Sequence, residues 1–250
     1  MESEIVQNNK LEIKIHDGPA RLGHHGDIKT PSILPLESLN LCEDEPMPFD
    51  VPRGLAQWSV EKTLKNAANI EDKLGVIQGS KYVDLRVYCA QKLEKMGFNT
   101  LVLANADELM RRPRELADII VHLRENLSPN TSLVFPFADA SFIPVLCYMG
   151  VDFFSDAICE FYSYLNIIMT PSNSYSQEKY QIYNLDQVEL AEYNKNTLDL
   201  VVREVQTNIE NGTLRNLVEE RSCSSPQNMS LVRILDKEHI NYLKKYTPIH

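Results

Sequence analysis

No stretch of this chain stays apolar for the roughly 20 residues that a membrane-spanning helix needs, so no such span is expected. Basic residues are also scarce: 25 Lys and Arg stand against 35 Asp and Glu, a formal net charge of −10. A protein that grips phosphates unaided carries a basic surface, because its affinity comes largely from neutralised phosphates and released counterions. Tight unassisted binding of a nucleic acid is therefore not expected. The local basic clusters, Arg111, Arg112 and Arg114, then Lys81 with Arg86, then Lys244 with Lys245, read as solvated helix faces. The five cysteines, Cys42, Cys89, Cys147, Cys159 and Cys223, are odd in number and scattered. That pattern suits reduced thiols in a cytoplasmic protein better than a disulfide framework. The opening MESEIVQNNKLEIKI lacks a basic stretch followed by an apolar one, so no secretory leader is expected. Internal repeats and low-complexity tracts are absent.

The 250 residues, 43% of them hydrophobic, suffice for one large domain or two small ones with a real core. Residues 11–16 and 29–35 read as short strands around a Gly/His turn, GHHG, and the acidic, proline-rich stretch 42–53 reads as a loop. A loosely helical pattern runs from Trp58 to Ile70. Strand 74–78 then leads to a helix from Tyr82 to Met96, ended by Gly97. Strand 99–103 precedes a helix that Pro113 opens, with Leu116, Ile119, Ile120, Leu123 and Leu127 on one face. Strand 132–136, a short helix around Phe142–Met149 and strand 151–154 follow. Alternating short apolar strands and helices is the pattern of parallel βαβ units, and it permits either an open doubly wound sheet or a barrel. Residues 171–195 read as an irregular connector. Beyond them Leu198, Val201, Val202, Val205 and Ile209 form a helical stripe ended by Asn211-Gly212. Thr213 and Ser225-Pro226 open further helices, giving a helical appendage of about 55 residues.

Three segments, DGPARLGHHGDIKTPSILPL (17–36), GVIQGSKYVDLRVYCAQKLEKMGF (75–98) and SLVFPFADASFIPVLCYMGVDFFSDA (132–157), carry a family resemblance. They resemble, in order, the N-terminal segment, the substrate-loop strand and the nucleophile segment of archaeal tRNA-guanine transglycosylases. Residues 196–248 are similar to the helical segment that follows the barrel in archaeosine synthases, and the order of these motifs spans nearly the whole chain. The resemblance implies an incomplete (β/α)8, TIM-barrel-like α/β fold over residues 1–170, with a connector and helical subdomain over 171–250. It implies a role in converting 7-cyano-7-deazaguanine in the D-loop of tRNA to archaeosine, its nitrile attacked by an amine donor, lysine or glutamine.

Several departures from that pattern bear on chemistry. Base exchange needs a carboxylate nucleophile and a second carboxylate as acid or base. The family's D-S-G-G/S-F-Q motif has no counterpart here. Matched to G-V-D-x-F-D, the nucleophile position is Ser155, with Asp156 one residue late, and one residue of slip on a strand turns a side chain to the other face. Asn105 stands within the segment matching the family's glycine-bearing strand end, whereas Gln78, Gly79 and Ser80 keep the substrate-loop pattern. Barrel sites sit at the C-terminal ends of strands, so Gln78, Asn105, Asp139 and Asp156 are candidates to converge on one mouth. The alternative is that Gln78 and Asp139 are polar loop residues left from an ancestral site. Between Thr170 and Asn196 there is neither cysteine nor histidine, so the family's structural zinc site is not expected, nor is any cofactor; His24 and His25 read as turn residues.

Three functions remain open on the sequence. The first is one chain of a split archaeosine synthase, acting on tRNA with a second chain that supplies the transfer motif (P-C-x-x-x-K-P-Y) and the RNA-binding domain. The second is a non-catalytic scaffold that positions tRNA or a partner. The third is a standalone transglycosylase, against which the missing acidic motif argues. In the first case part of the tail's apolar stripe, Val201, Val205, Leu217 and Leu235, is expected to need covering by that partner. The purified chain is predicted to hold no stoichiometric zinc; elemental analysis finding about one zinc per chain after mild chelation would refute this.

Overall fold

Short runs of Val, Ile, Leu and Phe, too brief for helices, supply the strands at the centre of the protein. The computed structural model describes residues 6–68, 70 and 73–245. β1 (Leu11–Asp17), β2 (Ala20–His25) and β3 (Ile28–Thr30) form an antiparallel meander. Pro31 has no N–H to continue that ladder, and the chain enters a second sheet as β4 (Ser32–Leu34). The single strand expected over 29–35 is thus two strands in two sheets. A 3-10 turn at Leu36–Ser38 and an irregular stretch lead to α1 (Arg53–Ala67). The alternating region follows: β5 (Gly75–Ile77), α2 (Val83–Lys95), β6 (Thr100–Leu103), α3 (Ala106–Leu109), α4 (Pro113–Asn126), β7 (Ser132–Phe135), α5 (Ile143–Tyr148), β8 (Phe153–Ser155) and α6 (Ala157–Tyr164). A hairpin of β9 (Ile167–Met169) and β10 (Ser174–Ser176) precedes α7 (Gln177–Tyr180) and four helices, α8 (Gln187–Glu210), α9 (Leu214–Ser222), α10 (Pro226–Glu238) and α11 (Ile240–Lys245). No helix among the described residues is long and apolar enough to cross a membrane.

The second sheet has the order β4-β8-β7-β6-β5, every pair parallel. After β4 the backbone crosses from that edge of the sheet to the other, where Leu41 pairs with Leu74 in parallel. There the Cys42 amide donates to the Leu74 carbonyl at 2.9 Å, and the Leu74 amide to the Asn40 carbonyl at 2.8 Å. The connection therefore acts as a strap that closes the sheet on itself. Inside lie Leu34, Leu74, Val102, Val134 and Phe153, with Val6, in one buried cluster. The alternate residues, among them Ile77, Leu101, Leu133 and Phe154, join a larger cluster with the surrounding helices. Both faces are buried, as parallel strands require. The α/β, barrel-like fold holds, with five parallel strands and a strap in place of eight strands.

The meander plugs the N-terminal end of this barrel. His25 lies on β2, is 2% exposed, and its Nε2 sits 2.8 Å from Thr100 Oγ1, edge-on to the Phe153 ring at 5.3 Å. The reading of His24 and His25 as turn residues is corrected: both belong to β2, and the turn is Gly26-Asp27, where Gly26 takes φ +59°. Beside the plug lies a buried ion cluster. Arg21 Nε donates to Asp152 Oδ1 at 3.0 Å, Arg21 Nη2 donates to Asp152 Oδ2, and Arg124 Nη1 stands 3.8 Å from the same carboxylate.

The connector expected over 171–195 is also shorter and more regular. α8 begins at Gln187, because Asp186 accepts from the Val188 and Glu189 amides at 2.9 and 3.0 Å while Glu189 accepts from the Asp186 amide at 3.0 Å. This is a capping box, and its D-x-x-E signature stands in the sequence. The stripe from Leu198 to Ile209 is buried against the barrel. The later helices wrap α4 and α5: Asn228 Nδ2 donates to the Ser141 carbonyl at 2.8 Å and the Tyr242 hydroxyl to the Met149 carbonyl at 2.7 Å. Val201, Val205, Leu217 and Leu235, expected to await a partner, are buried within the chain itself. Removing one member of a buried ion cluster strands the others, so Asp152→Ala is predicted to cost about 3–5 kcal/mol in urea unfolding; a loss below about 1 kcal/mol would show that the cluster is dispensable.

Candidate functional site at the barrel mouth

The C-terminal ends of the parallel strands open on a cavity of about 570 Å³. Gln78 follows β5, Ala104 and Asn105 follow β6, Pro136 and Phe137 follow β7, and Ala157 follows β8 at its edge. The strap completes the wall with Leu36, Leu39, Leu41, Asp44, Pro46 and Met47. Phe161 of α6 adds an aromatic edge, packed against Phe137 with ring centres 5.4 Å apart. Apolar walls with few polar groups make this the shape of a small-molecule site.

One buried cation organises the floor. Arg86 of α2 is 0% exposed, and its guanidinium donates to the Ser80 carbonyl at 2.6 Å, the Ala104 carbonyl at 3.0 Å and Asn105 Oδ1 at 2.9 Å. It ties the ends of β5 and β6 together without a carboxylate. Burial depresses its pKa to about 10, since leaving water disfavours the charged form. Gly79 makes room for this: at φ +143°, a Cβ there would stand 2.7 Å from the Arg86 amide nitrogen. The reading of Arg86 as part of a solvated basic face is corrected, because backbone carbonyls from three places pay its desolvation. Asn105, in the left-handed region at φ 61°, uses its Nδ2 to hold the Met47 carbonyl at 2.9 Å. Gln78 Nε2 donates to Asp44 Oδ2 at 2.6 Å. The strap is thus fastened to both strand ends.

Of the residues singled out by sequence, Gln78 and Asn105 line the cavity. Gly79 and Ser80 lie beneath it at Arg86, their role being the backbone path. Asp139 faces another way: it accepts from the Ser141 amide at 2.8 Å, from the Tyr162 hydroxyl at 3.3 Å and from the Ser174 hydroxyl. Burial, with Asp139 beside it, pushes the Tyr162 phenol well above its usual range. Ser155 is buried, and its hydroxyl donates to the Pro136 carbonyl. Asp156 accepts from the Leu36 amide at 2.8 Å and from Lys195 at 3.0 Å, anchoring the start of the strap. Sequence alone does not single out Asp44 or Phe161, and it shows Arg86 only as part of a basic cluster. The acidic loop 42–53 was visible as a feature, but nothing in it marked which carboxylate turns inward. Among the described residues no group of three or more His, Cys, Asp or Glu is arranged to hold a metal ion.

The sequence profile of the queuine tRNA-ribosyltransferase family matches residues 39–192. Among curated proteins, the tRNA-guanine(15) transglycosylase of Methanocaldococcus jannaschii is 27% identical across 93% of this chain and 42% of its own length. The archaeosine synthase of the same organism is 31% identical across 72% of this chain and 30% of its own length. The tRNA-guanine(15) transglycosylase of Thermococcus onnurineus is 26% identical across 82% of this chain and 40% of its own length. The chain spans less than half the length of these relatives. The packing of the floor is open to a chemical check. Burial pushes the Cys89 thiol up to about 12, while Cys223 is exposed. Because the thiolate is the nucleophile, iodoacetamide at pH 8 is predicted to label Cys223 and spare Cys89 until denaturant is added; native labelling of Cys89 would contradict a sealed floor.

Proposed function

The chain belongs to the queuine tRNA-ribosyltransferase family, and on that premise we propose that it is a subunit of an archaeosine synthase, acting in tRNA modification. Its substrate is tRNA bearing 7-cyano-7-deazaguanine in the D-loop, and its mouth receives that base. The reaction is an addition. The side-chain amino nitrogen of lysine, or ammonia freed from glutamine by hydrolysis to glutamate, bonds to the nitrile carbon and one N–H proton passes to the nitrile nitrogen; lysine gives an amidine that still carries the lysine, ammonia gives the unsubstituted formamidine.

The observation that carries this reading is the state of the nucleophile segment. Base exchange requires a free carboxylate to attack the ribose. Here Ser155 is buried and bonded to Pro136, and Asp156 is held by Leu36 and Lys195. A base-sized cavity kept at the strand ends, without a free carboxylate at that position, favours chemistry on the base over cleavage of its bond to ribose. The net charge of −10 favours a division of labour, in which a second, more basic chain bears the transfer motif and the RNA-binding domain. A second reading, transglycosylation itself, is favoured by the similarity to tRNA-guanine(15) transglycosylases across 93% of the chain.

Mass spectrometry of modified tRNA separates the two. Incubation with the amine donor is expected to convert the nitrile only when the partner chain is present, and the chain alone is expected to exchange no radiolabelled guanine into tRNA. Exchange by the chain alone, lost in Asp156→Ala, would establish the second reading instead. Filter binding at two salt concentrations tests the division of labour: tRNA affinity as high and as salt-dependent for the isolated chain as for the complex would refute it.

A further inference from the structure

Val201, Val205, Leu217 and Leu235 are buried within the chain, so a partner that docks here must meet another surface. One is built where α6, the β9–β10 hairpin, α7 and the first turns of α8 pack together. Six of the chain's eleven tyrosines fall between residues 162 and 193. Tyr164, Leu165, Ile182 and Tyr183 are 48 to 66% exposed. The Tyr175 and Tyr180 rings stack with centres 4.6 Å apart, and the Tyr183 ring lies 5.4 Å from that of Tyr193. Tyr180 and Tyr183 both stand within electrostatic reach of Tyr193, which makes the two pairs neighbours. The loop that carries Ile182 and Tyr183 is pinned from beneath. Gln177 is buried, donates to Asn166 Oδ1 at 3.0 Å and to the Leu185 carbonyl at 2.9 Å, and accepts from the Leu185 amide at 3.2 Å. A hollow of about 470 Å³ lies beside it, between Asn166, Glu178, Gln181 and Tyr183.

Exposed aromatic and aliphatic side chains gathered on a fixed backbone mark a binding surface, and their surroundings choose the partner. Residues 156–199 hold seven carboxylates against two lysines and no arginine. Lys195 is already bonded to Asp156 at 3.0 Å. Glu160, beside Tyr164, and Glu178, Asp186 and Glu192 are all exposed. Tyrosines ringed by bases would suit RNA, whose bases stack on the rings while its phosphates meet the cations. Here the ring is acidic and repels phosphates. A second copy of this chain, meeting face to face, would set the same carboxylates against one another. We propose that this tyrosine face docks a second protein chain whose facing surface is apolar at its centre and basic at its rim. The inference rests on the proposed division of labour and deepens it by naming the surface involved. The positive charge that a partner needs for tRNA is then the same charge that this face attracts.

The test titrates the full chain with the chain that bears the transfer motif, by calorimetry, with size-exclusion chromatography in parallel. Ile182→Ser combined with Tyr183→Ser is expected to weaken association about tenfold or more, as loss of a central apolar anchor does. Glu178→Lys combined with Glu192→Lys is expected to weaken it as much at about 50 mM salt, with the loss shrinking at about 500 mM. Glu125→Lys, an exposed site on α4 outside this face, is expected to leave it unchanged. Should the apolar variant lower the urea midpoint, the charge variant decides. Association at full strength in both variants overturns the inference and leaves the proposed function standing; if the two chains do not associate at all, both fall. A dimer of this chain alone, or tRNA binding by this chain alone, that is lost in the Ile182 and Tyr183 variant assigns the face to another occupant and likewise overturns the inference.

Discussion

Parallel strands bury both faces, and a sheet of only five of them leaves two edges whose N–H and C=O groups need partners. Eight strands meet this constraint by closing into a ring. Here the backbone between Leu36 and Val51 meets it at the β5 edge, crossing over from β4 and pairing Leu41 with Leu74. The strap has no regular structure past its first turn, so its own polar groups must be satisfied one at a time. Asp156 takes the Leu36 amide, Thr63 takes the Glu45 amide, Asn105 takes the Met47 carbonyl and Glu108 takes the Phe49 amide. The fastenings at Leu36 and Met47 also fix walls of the mouth. Closure and site formation are one event.

That coupling accounts for the fate of the polar residues at the strand ends. Side chains that a catalytic barrel would aim at substrate are here spent on structure: Asp156 on the strap, Ser155 on the neighbouring strand end, and Asp139 on Tyr162 and the β9–β10 hairpin. Gln78 and Asn105 stay at the cavity wall, each already bonded to the strap. Arg86 makes this affordable in a small barrel, since one guanidinium satisfies carbonyls on two strand ends and orients Asn105 as well. The same scarcity of basic charge marks the whole chain, whose formal net charge is −10.

Much of the scaffold was legible in the sequence. The alternation of short apolar runs with amphipathic segments, Pro113 at a helix start and Asn211-Gly212 at a helix end all act through local backbone preferences, which a sequence displays directly. Barrel and open sheet were not separable, because the closing element is irregular and has no period to read. Arg86 looked like a surface charge because its burial depends on carbonyls of residues 77, 80 and 104 that only folding brings together. His25 was misplaced for a similar reason: its partner Thr100 is 75 residues away. The start of α8 is a different case, since Asp186-x-x-Glu189 is a local capping signature that the sequence itself displays. At the mouth, Gln78 and Asn105 were picked out by position, whereas Asp44 was one acidic residue among several in 42–53, and its inward turn is set by Gln78.

The strap closes the barrel as a sixth wall and does not lie over it as a loop. Hydrogen exchange of the Cys42 and Leu74 amides measures this directly, because each donates to the other side of that closure. If the closure is part of the cooperative fold, both amides exchange as slowly as those of β6, at close to the free energy of global unfolding. Exchange at the rate of exposed loop amides, with β6 still protected, would show that the sheet is open and that the mouth has no fixed wall.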